Sequence, residues 1–140
     1  MRISDIVSRL EQIDTICGEV DMSLLAAAQI LNANKIGALP VVNQNYQLVG
    51  IVSERDLIRF IAENPDDFFD SSVKMVMTSQ VISCCLDDSA NEVYNVLIEN
   101  KIRHIPVLED NELSVLLSIR DFTGMLTGNR EILKMNYQPS

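Results

Sequence analysis

The pattern Ser-x-Arg-Asp occurs twice in this 140-residue chain, as Ser53-Glu54-Arg55-Asp56 and as Ser118-Ile119-Arg120-Asp121. Each copy stands between an apolar segment typical of a strand and a segment with helical spacing. The backbone N–H groups and the dipole at the start of a helix favour an anion such as phosphate. A Ser hydroxyl can donate to a phosphate oxygen, whereas an ionised Asp only accepts and can take both hydroxyls of a ribose. The two side chains together suit a nucleotide.

The same residues also have a purely structural interpretation. A Ser followed three residues later by an acidic residue fits a capping box, in which each side chain accepts a hydrogen bond from the other residue's backbone N–H. Such a box explains each copy without any ligand. The nucleotide hypothesis therefore depends on the rest of the chain.

Both copies belong to an internal repeat. Asn34-Lys35-Ile36 aligns with Asn100-Lys101-Ile102, and Pro40-Val41 aligns with Pro106-Val107. When one residue is dropped from a turn in the second half, the two Ser-x-Arg-Asp copies align as well. Two copies are too few for a solenoid, so the pattern predicts two pseudo-twofold halves that complete one core.

Each half predicts the same order of elements, namely strand, helix, strand, strand, helix. Asp and Ser residues that can cap a helix precede apolar residues at helical spacing, and an Asn-Lys pair ends each run. Apolar segments joined by polar turns predict a hairpin in each half, 38–42 with 47–52 and 105–108 with 112–117. Because these strands are apolar throughout, we predict an α/β (α+β) fold of two β-α-β-β-α repeats packed through their sheets.

A segment rich in acidic residues separates the halves. Its proline, Pro65, predicts that the preceding helix ends near Asn64. Phe68 and Phe69 predict that the segment is fixed to the core by aromatic burial. We therefore divide the chain into a first repeat (1–64), an acidic linker (65–72), a second repeat (73–127) and a C-terminal tail (128–140).

The amino-acid composition argues against several classes of function. Eleven basic and twenty acidic residues give a net charge of −9, which repels nucleic acid. Neither a membrane-spanning apolar run nor a signal peptide is evident, so we expect a cytoplasmic protein with no membrane partner. Cys84 and Cys85 would face opposite sides of a strand, and one His with no Cys/His cluster provides no metal site.

The residues of the repeat resemble a tandem pair of CBS (cystathionine beta-synthase) domains, also called a Bateman module. The resemblance rests on Lys35 to Val42 with Leu48 to Asp56, and on Lys101 to Leu108 with Leu113 to Asp121. It covers the chain from about Ile3 to Leu126. The chain is most similar to stand-alone bacterial proteins with two repeats, which carry Ile-Gly-Ala and Ser-Glu-Arg-Asp in the first repeat and Arg-His-x-Pro-Val in the second.

The resemblance implies a site for an adenosine-containing ligand such as AMP, ADP, ATP or an NAD-like molecule, with Ser near phosphate and Asp on ribose. The implied binding residues of the first repeat are Thr15, Ile16, Cys17, Gly37, Ala38, Leu39, Pro40, Gly50, Ser53, Arg55 and Asp56. Those of the second repeat are Val81, Ile82, Ser83, Arg103, His104, Ile105, Pro106, Ser118, Arg120 and Asp121.

The two implied sites differ. The family motif is complete from Gly50 to Asp56, but Val115 stands where the family has glycine, and a Val side chain takes up room that a ligand could use. We therefore expect base and ribose to be held better in the first repeat. Positive charge for phosphates would come partly from Arg103, His104 or Arg120.

The function implied by the resemblance is a non-enzymatic regulatory sensor, with an adenine nucleotide as regulatory ligand and an unknown effector protein as partner. We expect a homodimer through helix surfaces that include Leu57, Phe60, Ile61, Phe122, Met125 and Leu126. One alternative is a ligand-free protein–protein interaction module whose Ser-x-Arg-Asp boxes are only caps. Another is an enzyme, as in inosine monophosphate dehydrogenases, but these carry such repeats beside a separate catalytic barrel. We identify no catalytic residues.

Overall fold

The structure, a computed structural model, describes residues 1–10 and 15–123 as a mixed α/β protein with two three-stranded sheets, which confirms the predicted fold class. Its α-helices are α1 (Ile3–Val7), α2 (Leu24–Asn34), α3 (Glu54–Glu63) and α4 (Ala90–Glu99). Its strands are β1 (Gly18–Glu19), β2 (Ala38–Val42), β3 (Leu48–Ser53), β4 (Cys84–Cys85), β5 (His104–Glu109) and β6 (Glu112–Ser118). Its 3₁₀ helices are Pro65–Asp70, Val73–Met75 and Ile119–Phe122.

Local capping residues set the ends of α2 and α4, as the sequence predicts. The Ser23 and Ser89 side chains each accept a hydrogen bond from the backbone N–H three residues on, at 3.0 and 3.3 Å. Lys35 and Lys101, which follow the two helices, have left-handed backbone conformations with φ of 54° and 55°. A left-handed residue ends a helix because it turns the next N–H toward the last carbonyls.

The first repeat lies in one compact unit formed by residues 15–82 and 110–113. Its sheet has the order β1-β2-β3, with β1 parallel to β2 and β2 antiparallel to β3. All five residues of β2 are buried because the strand is central and apolar. Buried residues of the sheet, both helices and the linker form its core: Leu24, Ala27, Leu31, Leu39, Val41, Val52, Leu57, Phe68 and Val73.

The second repeat lies in another unit, which contains residues 1–10, 83–109 and 114–123 of the described chain. Its sheet has the order β4-β5-β6. Helix α1 belongs here, because Ile3 and Ile6 are fully buried in the same cluster as Leu97 and Phe122. The Ile3 N–H also donates to the Asp88 carbonyl at 2.9 Å. The N-terminal segment, grouped by sequence with the first repeat, therefore completes the core of the second.

Further sequence predictions differ from the structure. The apolar segments 15–18 and 81–85 predict the first strand of each repeat, but β1 and β4 have only two residues each. Of the linker's aromatic pair, Phe68 is buried but Phe69 is 71% exposed, so Phe69 does not fix the linker to the core. The segment after Ser118 begins as a 3₁₀ helix. Any longer helix there, like the predicted tail 128–140, lies outside the described residues.

The predicted dimer surface also needs correction. Leu57 and Phe122 are buried in the cores of their own units, so neither is free to contact a second chain. Met125 and Leu126 lie outside the described residues. On α3 the large exposed apolar side chains are Ile58 and Ile61. Within residues 1–10 and 15–123, no helix is long and apolar enough to cross a membrane.

Candidate functional site

The first Ser-x-Arg-Asp copy forms the capping box that opens α3. The Ser53 N–H donates to Asp56 Oδ2 at 2.9 Å, and the Asp56 N–H donates to Ser53 Oγ at 3.2 Å. Asp56 Oδ1 lies 3.5 Å from the Arg59 guanidinium, and the Asp56 side chain is only 16% exposed. A carboxylate can accept about four hydrogen bonds, so these partners leave acceptor capacity on a side chain of fixed orientation.

The start of β2 lies directly beside this box. The Glu54 N–H donates to the Gly37 carbonyl at 3.0 Å, and Ala38 is paired with Ser53 across the hairpin. Gly37 is half-buried, whereas Ala38, Leu39 and Pro40 are buried. The structure thus brings Gly37 and Ala38 to Ser53 and Asp56. Leu39, with no exposed surface, contributes to the core beneath them.

The segment 15–17 approaches the same end of the sheet. Gly18 is paired in parallel with Val41, so the residues before Gly18 run back toward the Gly37 end of β2. Thr15, Ile16 and Cys17 are half-buried. The Cys17 thiol lies 3.7 Å from the Tyr46 hydroxyl. Tyr46 is a neighbour that the sequence analysis missed, because the contact depends on the turn between β2 and β3.

Gly50 faces the side chain of Met77 rather than open space. A β-carbon on Gly50 would lie 2.9 Å from Met77 Cγ and 3.2 Å from the Thr78 carbonyl oxygen. Two backbone hydrogen bonds between Ile51 and Thr78, at 3.0 and 2.9 Å, fix this approach. The structure therefore shows that glycine at position 50 makes room for Met77.

The second Ser-x-Arg-Asp copy is built in the same way. The Ser118 N–H donates to Asp121 Oδ2 at 2.7 Å, and the Ile119 N–H donates to the Arg103 carbonyl at 2.7 Å. This brings the start of β5 beside the 3₁₀ helix Ile119–Phe122. Arg120 is exposed, whereas Arg103, Ser118 and Asp121 are half-buried.

The surroundings of His104 favour the uncharged imidazole. Burial lowers its pKa from the ordinary value of 6.5, the positive charge of Arg103 lowers it further, and the negative charge of Asp121 opposes the shift. Without a ligand the imidazole is therefore mostly uncharged near neutral pH. Positive charge for phosphates from Arg103, His104 or Arg120 stays a prediction.

The other predicted residues of the second repeat are divided between the two units. Val81 and Ile82 fall in the unit of the first repeat, whereas Ser83, Ile105 and Pro106 fall in that of the second. Val115 is half-buried and packs against the second core. An open groove of about 230 Å³ beside α4 is lined by Ser83, Cys84, Asp88, Glu92, Val93, Val96 and Ile105.

The adjacent cysteines occupy opposite faces of β4, as predicted. Cys84 is buried and Cys85 is exposed. Burial raises the pKa of the Cys84 thiol to about 12, with the nearby Asp88 contributing, so this thiol stays protonated at neutral pH. Among the described residues there is no cluster of three His, Cys, Asp or Glu side chains that could hold a metal ion.

Comparison with known proteins extends these observations. The family model of the CBS domain matches twice, at residues 3–63 and 73–127. An uncharacterized 17.7 kDa protein of Acidianus ambivalens is 30% identical over 76% of this chain and 63% of its own length. Two further curated relatives are covered over 28% and 54% of their lengths. The chain thus spans less than two thirds of each of these three proteins.

Solved structures share the fold. The CBS-domain containing protein ATU1752 from Agrobacterium tumefaciens has a TM-score of 0.82 and 28% identity, covering 90% of this chain and 99% of that one. The CBS domain pair of protein MJ0100 was solved in complex with 5′-methylthioadenosine and S-adenosyl-L-methionine. It has a TM-score of 0.78 and 25% identity, covering 91% of this chain and 97% of that one.

Proposed function

Because the chain belongs to the CBS domain family, we propose that it is a regulatory module that binds an adenosine-containing ligand. CBS domain pairs are regulatory modules, and the MJ0100 pair binds two adenosine compounds. The adenosine moiety is the chemistry that these compounds share with AMP, ADP, ATP and NAD. We infer that this moiety is what the chain recognises.

The observation that carries the proposal is the Asp56 carboxylate. It is largely shielded from water, it is oriented by the Ser53 N–H and the Arg59 guanidinium, and it retains acceptor capacity. Vicinal ribose hydroxyls are donors that match two oxygens of one carboxylate. Gly37 and Ala38 lie beside Ser53, and the segment 15–17 runs toward the same end of β2, so we propose that these residues hold the base.

We propose that the first repeat holds the adenosine more tightly than the second. Its motif is complete, whereas in the second repeat Val115 departs from the motif and packs against the core of its own unit. Phosphates, where a ligand has them, would be bound by exposed arginines such as Arg55 or Arg120, or by Arg103.

We propose further that the module acts in the cytoplasm as a homodimer and passes its ligand state to an effector protein. The exposed Ile58 and Ile61 on α3 are the side chains available for contact with a second copy. The ligand-free interaction module remains the second candidate, because the two capping boxes account for Ser53 and Asp56 without a ligand.

Calorimetric titration tests the proposed site. AMP, NAD, 5′-methylthioadenosine and S-adenosylmethionine form the adenosine series, with GMP as the control for the base. Asp56→Asn keeps the shape of the side chain but removes its charge, and should weaken binding of the adenosine series by roughly 10- to 100-fold. Asp66→Asn removes the same charge from the exposed linker and should leave binding unchanged.

The equivalent change in the second repeat, Asp121→Asn, tests the difference between the sites. We expect it to weaken binding less than Asp56→Asn does. An equal loss of affinity in the two variants, or a stoichiometry of two equal sites per chain, would contradict the proposed difference between the repeats. If Asp56→Asn and wild type bind the whole series alike, the ribose role of Asp56 is wrong.

A further inference from the structure

The linker presents an aromatic side chain to solvent. Phe69 is 71% exposed, the largest exposed fraction among the large hydrophobic residues of the described chain. Its neighbour Phe68 is buried in the first core, and the two rings meet edge to face with centroids 5.4 Å apart. The buried ring supports the exposed one, so Phe69 is directed outward from a fixed base.

The backbone around Phe69 is held at both ends. It lies in the 3₁₀ helix Pro65–Asp70, where proline restricts the first residue. At the other end Ser71 is buried, its hydroxyl donates to the Asp67 carbonyl at 2.7 Å, and its own carbonyl accepts from the Leu24 N–H at 3.0 Å. An aromatic group on a fixed backbone loses little conformational entropy when a partner binds it.

Four acidic residues lie within six positions of Phe69 in the sequence. Glu63, Asp66, Asp67 and Asp70 are all exposed, and none forms an ion pair with the described residues. The segment 63–72, from the end of α3 through the linker, contains no Lys or Arg. These negative charges repel one another, and no basic side chain of the described residues pairs with them. They produce a local field that attracts a cationic surface.

We propose that the Phe69 linker surface, defined as Phe69 with Glu63, Asp66, Asp67 and Asp70, docks a basic amphipathic helix of a partner protein. Phe69 packs against the apolar face of that helix as the anchor, and the carboxylates steer the encounter and pair with its Lys or Arg side chains. A second copy of this chain is disfavoured, because a symmetric contact would place the same four carboxylates on both sides.

Fluorescence anisotropy with a defined probe tests this surface. The probe is a labelled amphipathic helical peptide of Lys and Leu, and its control is the same peptide with Glu in place of Lys. Wild-type protein should bind only the Lys peptide, and the affinity should fall at about 0.5 M salt. Phe69→Ala should weaken binding about tenfold or more.

Matched control variants distinguish binding at the Phe69 linker surface from attraction to the negative net charge of the chain. Leu25→Ala removes a side chain that is 39% exposed on α2 and should leave peptide binding unchanged. Neutralising Asp66, Asp67 and Asp70 with Asn should weaken binding and flatten the salt dependence. Neutralising Asp21, Glu99 and Glu112 removes the same charge from exposed positions outside the linker and should have a smaller effect. Melting temperatures verify that every variant is folded.

Three results would overturn the proposal. Phe69→Ala could bind the Lys peptide as tightly as wild type. The two triple variants could lose affinity equally, which would indicate attraction to net charge alone. Sedimentation could show that Phe69→Ala converts a dimer into a monomer, which would assign the surface to a second copy.

Discussion

The backbone N–H of Glu54 donates to the carbonyl oxygen of Gly37 at 3.0 Å, and this bond joins the first turn of α3 to the start of β2. Ile119 and Arg103 form the equivalent bond at 2.7 Å in the second repeat. Each bond places a capping box beside the residues that precede a central strand. The two repeats therefore share the same backbone arrangement around the capping box, but they carry different side chains there.

The contact between Gly50 and Met77 predicts a non-additive pair of substitutions. Gly50→Ala should lower the free energy of unfolding by about 1–3 kcal/mol, because its β-carbon would collide with Met77. Met77→Ala should reduce that cost by opening the space. Urea denaturation of both single variants and the double variant gives the coupling energy. Additive effects would show that Met77 does not restrict position 50.

Tyr94 predicts a substitution that does not destabilise. Its hydroxyl is buried and has no hydrogen-bond partner among the described residues, while its ring lies 6.0 Å from that of Phe122. Tyr94→Phe keeps the packing and removes the unsatisfied group, so the free energy of unfolding should stay the same or rise by about 1 kcal/mol. A loss above about 1 kcal/mol in chemical denaturation would mean that the hydroxyl is satisfied.

His104 predicts a pH-dependent contribution to stability. Its pKa is lower in the folded chain, so below the ordinary value of 6.5 the unfolded state binds a proton more readily than the folded state. The contribution of His104 is complete above that value and is lost as the pH falls through it toward the lowered folded pKa. Wild type should therefore lose more stability than His104→Gln between about pH 7 and about pH 5.

The control for this prediction is the His104→Gln variant. His104 is the sole histidine, so the difference between wild type and His104→Gln isolates one imidazole from the carboxylates that titrate at lower pH. Parallel stability profiles for the two proteins would contradict the lowered pKa. The measurement is the denaturation midpoint at each pH.

Sequence reasoning succeeded where structure is determined locally. The Ser caps of α2 and α4 and the left-handed residues Lys35 and Lys101 depend on neighbours within a few positions, so their pattern was enough to place both helices. The two capping boxes were predicted for the same reason. Their backbone hydrogen bonds are determined by the Ser and Asp spacing.

Contacts between distant segments were less predictable. Helix α1 has five residues, too few to show a period, and its burial against the second repeat is specified by tertiary packing. Phe68 and Phe69 are identical in type, so nothing in the sequence distinguished the buried ring from the exposed one. The approach of Met77 to Gly50 depends on the pairing of Thr78 with Ile51 in β3, which no local motif encodes.

The measurement that tests the central proposal most directly is the melting temperature with and without adenosine compounds. AMP has about 23 heavy atoms, which at roughly 0.3 kcal/mol each correspond to a dissociation constant on the order of 10 µM. At about 100 times that concentration, binding adds roughly 2.7 kcal/mol to stability, or about 8 °C for a domain of this size. We predict such a shift with at least one adenosine compound, little shift with GMP or CMP, and a reduced shift for Asp56→Ala. If no adenosine compound moves the melting temperature of the wild type, the sensor proposal is wrong and the capping boxes serve the fold alone.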